Sequence, residues 1–160
     1  GNVNRRLQRL DDGDFDAIIL AAAGLLRLQM AGRIRQRIPT GIMLPAVGQG
    51  AVGVQCRADD AKTTSLLAPL DHVPTHARIT AERAANAHLG GGCHLPIGAF
   101  AKIEGEQLHL RGLVGRPDGS EILFASAKGL VSEAEAVGHT LADDLLGQGA
   151  KALLQEFANA

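Results

Sequence analysis

Tryptophan and tyrosine are absent from the 160 residues, and only four phenylalanines occur. Without flat aromatic side chains there is no platform on which bases could stack, as single-strand nucleic-acid binders require. Dense runs of Lys and Arg are also missing, and the formal net charge is -1. Neither nucleic acid nor a membrane surface is therefore expected as a partner. Cysteine is scarce: Cys56 and Cys93 lie far apart in the chain and in no metal-ligand spacing. No metal is expected, and the pattern fits a reducing, cytoplasmic compartment. No apolar run reaches the roughly 18 residues of a membrane span, and Asp16 to Leu28 is too short for one. The start, Gly1-Asn2-Val3-Asn4-Arg5-Arg6, has no apolar signal region behind its charges. It also lacks Met and begins in a glycine turn, so the chain reads as a fragment of a longer one.

What stands out instead is Gly90-Gly91-Gly92-Cys93-His94-Leu95-Pro96-Ile97-Gly98. Three glycines and a proline describe a loop whose backbone comes close to something. Upstream, Ala77, Ala81, Ala84, Ala85 and Leu89 recur at helical spacing, which predicts a helix over Thr75 to Leu89 stopped by the glycines. Downstream, Ile97, Ala99, Ala101 and Ile103 alternate as in a strand. Cys93 is thus presented from a loop between two rigid elements, with room for a bulky group on its sulfur; the alternative is an ordinary thiol.

Taken in order, Val3 to Leu10 predicts a short helix with Leu7 and Leu10 inward, ended by Asp11-Asp12-Gly13. Phe15 to Leu20 has the length and branching of a buried strand, and Leu25 to Arg37 reads as the helix after it. This βα unit belongs to an open α/β sheet, where ligands sit beyond the carboxyl ends of strands. Arg27, placed in the first turn of that helix, and Arg6 would face the crevice and pair with carboxylate or phosphate; otherwise both are solvated surface charges. Pro45-Ala46-Val47-Gly48-Gln49-Gly50 is a glycine-flanked turn in which Gln49 could offer its amide to a ligand. Ala51 to Cys56 predicts a strand ending in a buried thiol. Asp59-Asp60 caps a helix, Ala61 to Leu70, with Leu66, Leu67 and Leu70 as its apolar stripe. Asp71-His72-Val73-Pro74 marks a domain boundary.

Beyond the cysteine loop, strands over Ile97 to Ile103, Leu108 to Gly115 and Ser120 to Lys128 are separated by Glu104-Gly105 and by Arg116-Pro117-Asp118-Gly119. They form an antiparallel meander. Ser132-Glu133-Ala134-Glu135 has the spacing of a capping box, opening a helix with Val137, Leu141 and Leu145 inward. Gly147-Gln148-Gly149 then interrupts it before Ala150 to Phe157.

Four segments in this order resemble the C-terminal half of the porphobilinogen deaminase (hydroxymethylbilane synthase) family. They are Gly1-Asn2-Val3 with Arg6; Asp16 to Ala21 with Gly24-Leu25 and Arg27; Leu44 to Ala51; and Glu82-Arg83 with Gly91-Gly92-Cys93, Pro96 and Gly98. The resemblance implies an α/β start of periplasmic-binding-protein-like segments from two incomplete domains. Residues 1–44 would be the second half of domain 2, and residues 45–72 a hinge and return segment of domain 1. Residues 73–160 would be a small α+β cofactor-attachment domain, a three-stranded antiparallel sheet with helices on one face.

It further implies a transferase of tetrapyrrole and haem biosynthesis. Four porphobilinogens are deaminated and joined on a dipyrromethane cofactor held by a thioether on Cys93, and hydrolysis releases the linear product. Loss of ammonia leaves a cationic azafulvene for a carboxylate to stabilise. The family's catalytic Asp would lie in a missing N-terminal part of the same protein, leaving these residues inactive alone and the complete enzyme a monomer. Arg6 and Arg27 match positions that meet the acetate and propionate arms of cofactor and substrate, while Ala21, Gln49 and Gly50 match positions lining the cofactor cleft. Connections near Met43 to Gly50 would flex as the pyrrole chain grows. Two other readings compete: a non-catalytic anion-binding module with an unmodified Cys93, and a thiol enzyme with His94 or His88 as base. Adjacency in sequence does not place a base within reach of a thiol, which disfavours the latter.

Overall fold

The computed structural model describes residues 2–92 and 95–158. Cys93 and His94, with the cofactor attachment and base readings that rest on them, lie outside the described residues. The chain divides into two compact units, Gly1–Pro39 and Thr40–Ala160.

The first unit is two short helices. In α1, Val3–Asp11, the Asn2 side chain caps the start by accepting from the Arg5 N–H at 2.9 Å, and Gly13 ends the turn at φ +82°. Leu7 is buried as expected, and Leu10 half-buried. The second helix, α2, spans only Ala22–Arg27, against the expected Leu25 to Arg37. It starts earlier because small residues continue the chain directly. It stops in a C-terminal lock: Met30 N–H donates to Leu25 O and Gln29 N–H to Leu26 O, with Gln29 left-handed at φ 58°. Arg27 is therefore the last residue of its helix rather than a member of the first turn. Only a 3₁₀ turn, Ala31–Arg33, follows. The expected strand over Phe15 to Leu20 does not form. A strand exists through its ladder, and no described segment pairs with these residues; Ile19 is 58% exposed.

The second unit carries α3 (Ala61–Leu67), α4 (Val73–His88), β1 (Ile97–Glu104), β2 (Gln107–Gly115), β3 (Ile122–Leu130), α5 (Ala134–Gly147) and α6 (Ala150–Ala158). The strands form the expected meander in the order β1-β2-β3, with Ala101 opposite Leu110 and Leu110 opposite Ala127. Gly105, at φ +62°, supplies the first central residue of the two-residue β1–β2 turn. The side chains of Ala99, Ala101, Leu108, Leu110, Val114 and Ala127 line the buried face of the sheet. Helices α4 and α5 cover it, with Ala81, Ala85 and Leu89 from one and Val137, Leu141 and Leu145 from the other in the same core. On the opposite face and at the outer edge, β3 exposes Ile122 and Phe124.

Three further expectations fail here. The strand over Ala51 to Cys56 is absent, and Cys56 is exposed, because no described segment pairs with this stretch or covers its thiol. Asp60 does cap α3, accepting from Thr63 N–H at 3.0 Å, but Leu66 and Leu70 on its stripe are exposed. Ser132 does not cap α5, whose start carries no side-chain capping bond. A 3₁₀ turn over Val131–Glu133 feeds straight into the helix and displaces the capping geometry.

Helices α4 and α5 touch through Gly138. A Cβ there would lie 2.4 Å from the Ala81 carbonyl oxygen and 2.6 Å from Ala84 Cβ, and backbone cannot yield locally. Gly138→Ala is expected to cost about 1–3 kcal/mol by overpacking. Urea denaturation should show a lower midpoint at unchanged slope; an unchanged midpoint would contradict the close packing of the two helices.

Candidate functional site

An acidic residue interrupts the alanine stripe of α4. Glu82 is 5% exposed, and both its oxygens are used: Oε2 accepts from the Gly48 N–H at 2.8 Å and Oε1 from the Ala101 N–H at 2.9 Å. A buried carboxylate without such donors would be strongly disfavoured. One bond reaches the glycine turn that the sequence singles out, and the other reaches β1. Burial raises the Glu82 pKa, opposed by the two backbone donors and by the charge of Arg78, and the net shift is upward.

The turn itself is built from local bonds. Gln49 N–H donates to Ala46 O and Ala51 N–H to Gly48 O, each at 3.1 Å, with Gly48 at φ +72° and Gly50 at φ +88°. Both glycines are required by conformation rather than crowding, since a Cβ on either would meet nothing within 4 Å. Gln49 and Gly50 are exposed. Ala46 bridges antiparallel to Gly98 at the edge of β1, so the turn is held against the strand that leads away from the cysteine loop. Beside Gly98, Leu44 Cβ and Pro45 O stand 3.4 Å from where a Cβ would project. Ahead of the turn, Arg111 of β2 donates to Thr40 O at 3.0 Å and contacts Thr40 Oγ1 at 3.3 Å. Between Thr40–Leu44 and the exposed face of β2 and β3 lies an open groove of about 720 Å³.

The other candidates lie in the first unit. Arg6 and Arg27 are exposed, and Ala21 is the residue before α2. Arg6 Nη2 reaches Ile19 O at 3.4 Å, bringing the guanidinium to the end of the apolar run, two residues from Ala21. Among the described residues its remaining N–H groups meet no acceptor, and a guanidinium can receive a carboxylate in a planar fork. Arg6, Ala21 and Arg27 thus share one unit, while Gln49 and Gly50 belong to the other. Arg111 and the clamping role of Glu82 escaped sequence reasoning. For Glu82 a signal existed: a carboxylate beside Ala81 and Ala85 on an otherwise apolar helix face.

Two sequence models of protein families match the chain. One, described as "Porphobilinogen deaminase, dipyromethane cofactor binding domain", matches residues 1–65, and the other, "Porphobilinogen deaminase, C-terminal domain", matches residues 76–147. The chain belongs to the porphobilinogen deaminase family. Members of the family are transferases that bind and polymerise porphobilinogen in tetrapyrrole biosynthesis. Dipyrromethane is the cofactor of this family, and Arg6, Ala21, Arg27, Gln49 and Gly50 all fall within the match to its binding domain. Cys93 falls within the second match. The chemistry of the described donors suits that cofactor: exposed guanidinium groups for its carboxylate arms, and a glycine turn facing open space. Among the described residues, no helix is long and apolar enough to cross a membrane.

The raised pKa of Glu82 has a definite sign in stability. A carboxyl with a higher pKa in the folded chain favours folding most while protonated, and this contribution is lost as pH rises through the folded value. The stability of the wild type relative to Glu82→Gln, which cannot titrate, is therefore expected to fall as pH rises from the ordinary value of 4.5. Denaturation of both proteins over pH 4 to 7 checks this; a difference that grows with pH would mean that the two N–H donors outweigh burial.

Proposed function

We propose that this chain supplies the cofactor-attachment and carboxylate-binding parts of a hydroxymethylbilane synthase. In this reading Cys93 holds dipyrromethane through a thioether, Arg6 and Arg27 pair with acetate and propionate arms, and the Gln49 amide and the backbone at Ala21 and Gly50 line the cleft. When bound, the cofactor supplies the free pyrrole carbon to which four porphobilinogens are added, each with release of ammonia. The chain's own residues bind and orient: the arginines fix the carboxylates of successive units, and the turn offers the Gly50 N–H, the amide of residues 48–51 without a bond among the described residues, together with the exposed Gln49 side chain. In this reading the carboxylate that stabilises developing positive charge is the family's catalytic Asp, a role given to none of the residues named above.

The same reading assigns residues 1–44 and 45–72 to periplasmic-binding-like domains 2 and 1 and residues 73–160 to the attachment domain. It makes the complete enzyme a cytoplasmic monomer. The observation that carries it is the pair of family matches, in family order and spanning Arg6 to Cys93. Exposed guanidinium groups on Arg6 and Arg27 support it, because they have donors to spare.

Intact mass under denaturing, reducing conditions tests the attachment. The protein carrying Cys93 is expected to exceed its sequence mass by a two-pyrrole adduct mapped to Cys93, and Cys93→Ser in the complete protein should lack it. A bare mass with an alkylatable Cys93 would instead favour an anion-binding module. Arg6→Ala and Arg27→Ala should each weaken porphobilinogen binding by about tenfold or more, the scale of a lost charged hydrogen bond. Equilibrium dialysis against labelled porphobilinogen would check this, and unchanged binding in both variants would remove the arginines from the site.

A further inference from the structure

The segment expected to flex, Met43 to Gly50, is fastened at two places within its own unit, and a third fastening lies three residues ahead of it. Arg111 of β2 binds Thr40 ahead of it, Ala46 bridges to Gly98 of β1 in its middle, and Glu82 of α4 binds Gly48 near its end. The last fastening differs in kind: one carboxyl side chain, largely removed from water, takes two backbone donors at once. We infer that Glu82 is a positioning residue, which joins the Gly48-Gln49-Gly50 turn to β1 so that residues 40–50 move as one body with the α4 helix and the sheet they are fastened to. Bending is then confined to the residues on either side. Past Ala51 the backbone is exposed and irregular through Ala58, with Val52 at 92% exposure. No comparable fastening holds residues 51–58 among the described residues.

The geometry favours a local role over general stabilisation. Glu82 does not add apolar packing; its two oxygens select two amides from elements far apart in sequence, one on the turn and one on β1. Because Ala101 and Gly98 both belong to β1, the turn is tied to the strand that follows Cys93 in the sequence. For cofactor binding the consequence is that Gln49 and Gly50 keep a fixed relation to that strand while the remainder of the connection moves. This consequence rests on the function proposed above, whereas the coupling itself does not.

Residue-resolved amide hydrogen exchange on the full chain without cofactor provides the test. In the wild type, Gly48 is expected to exchange at a rate close to that of Ala101 and more than tenfold slower than the amides of residues 52–57. Glu82→Ala should accelerate both Gly48 and Ala101 by about tenfold or more while Leu108 and Leu110 of β2 keep their protection. Glu82→Gln retains one carbonyl acceptor and should rescue one of the two amides. Gly48 exchanging as fast as residues 52–57 in the wild type would overturn the proposal, as would undiminished protection of both amides in Glu82→Ala. So would acceleration spread equally over β2, the mark of a merely structural residue. Should the variants fail to fold, the wild-type comparison alone decides. An unmodified Cys93 would defeat the functional reading and leave these exchange rates untouched.

Discussion

A carboxylate placed inside a protein must find donors or stay protonated, and Glu82 finds two. That requirement organises much of the C-terminal unit around it. Helix α4 delivers the group from a face otherwise made of alanine, where there is space for a longer chain. The β1 strand, at the sheet edge, offers an N–H that no neighbouring strand claims. The glycine turn supplies the other donor, and its positive-φ residues leave open space beside an exposed Gln49. Helix, edge strand and turn are thus brought into register by one side chain, with close helix contact at Gly138 keeping α4 where the carboxylate needs to be.

The C-terminal unit was the more legible in the sequence. Its signals are local: alternation in β1 and β2, turn chemistry at Gly105 and Gly119, and apolar spacing in α4 and α5 each act within a few residues. The two misplaced strands show the opposite case. Phe15 to Leu20 and Ala51 to Cys56 have strand-like composition, but pairing is a long-range property, and composition does not specify a partner. The misread capping box is subtler, since Ser132 and Glu135 have the right spacing while the 3₁₀ turn before Ala134 shifts the helix start past the serine. Gln29 similarly ends α2 early in a left-handed conformation that glycine would normally announce.

Of the candidate site, the residue types were readable and their arrangement was not. Arginines suited to carboxylates and a glycine-flanked amide can be recognised from side-chain chemistry alone. Which units they belong to depends on the fold, and Arg6, Ala21 and Arg27 fall in one compact unit while Gln49 and Gly50 fall in the other. The porphobilinogen deaminase family provides a reason for such a division. A reaction that lengthens its own bound product must make room for it, and candidate residues carried on separate bodies can change their spacing as it grows, with both arginines on one body and the glycine-flanked amide on the other.

The two edges of the sheet differ in kind. Along β1, the bridge to Ala46 and the Glu82 carboxylate occupy groups that would otherwise be open to another strand. Among the described residues β3 pairs with β2 alone; the Gln148 side chain donates to Phe124 O at 3.0 Å, while Ile122 and Phe124 themselves stay exposed and a charge returns only at Lys128. An edge covered by a single side-chain bond is still a template for intermolecular pairing, and charged side chains are what natural sheets use to blunt such edges. The colloidal weak point of the chain is accordingly residues 122–126, at the opposite edge of the sheet from the Glu82 clamp.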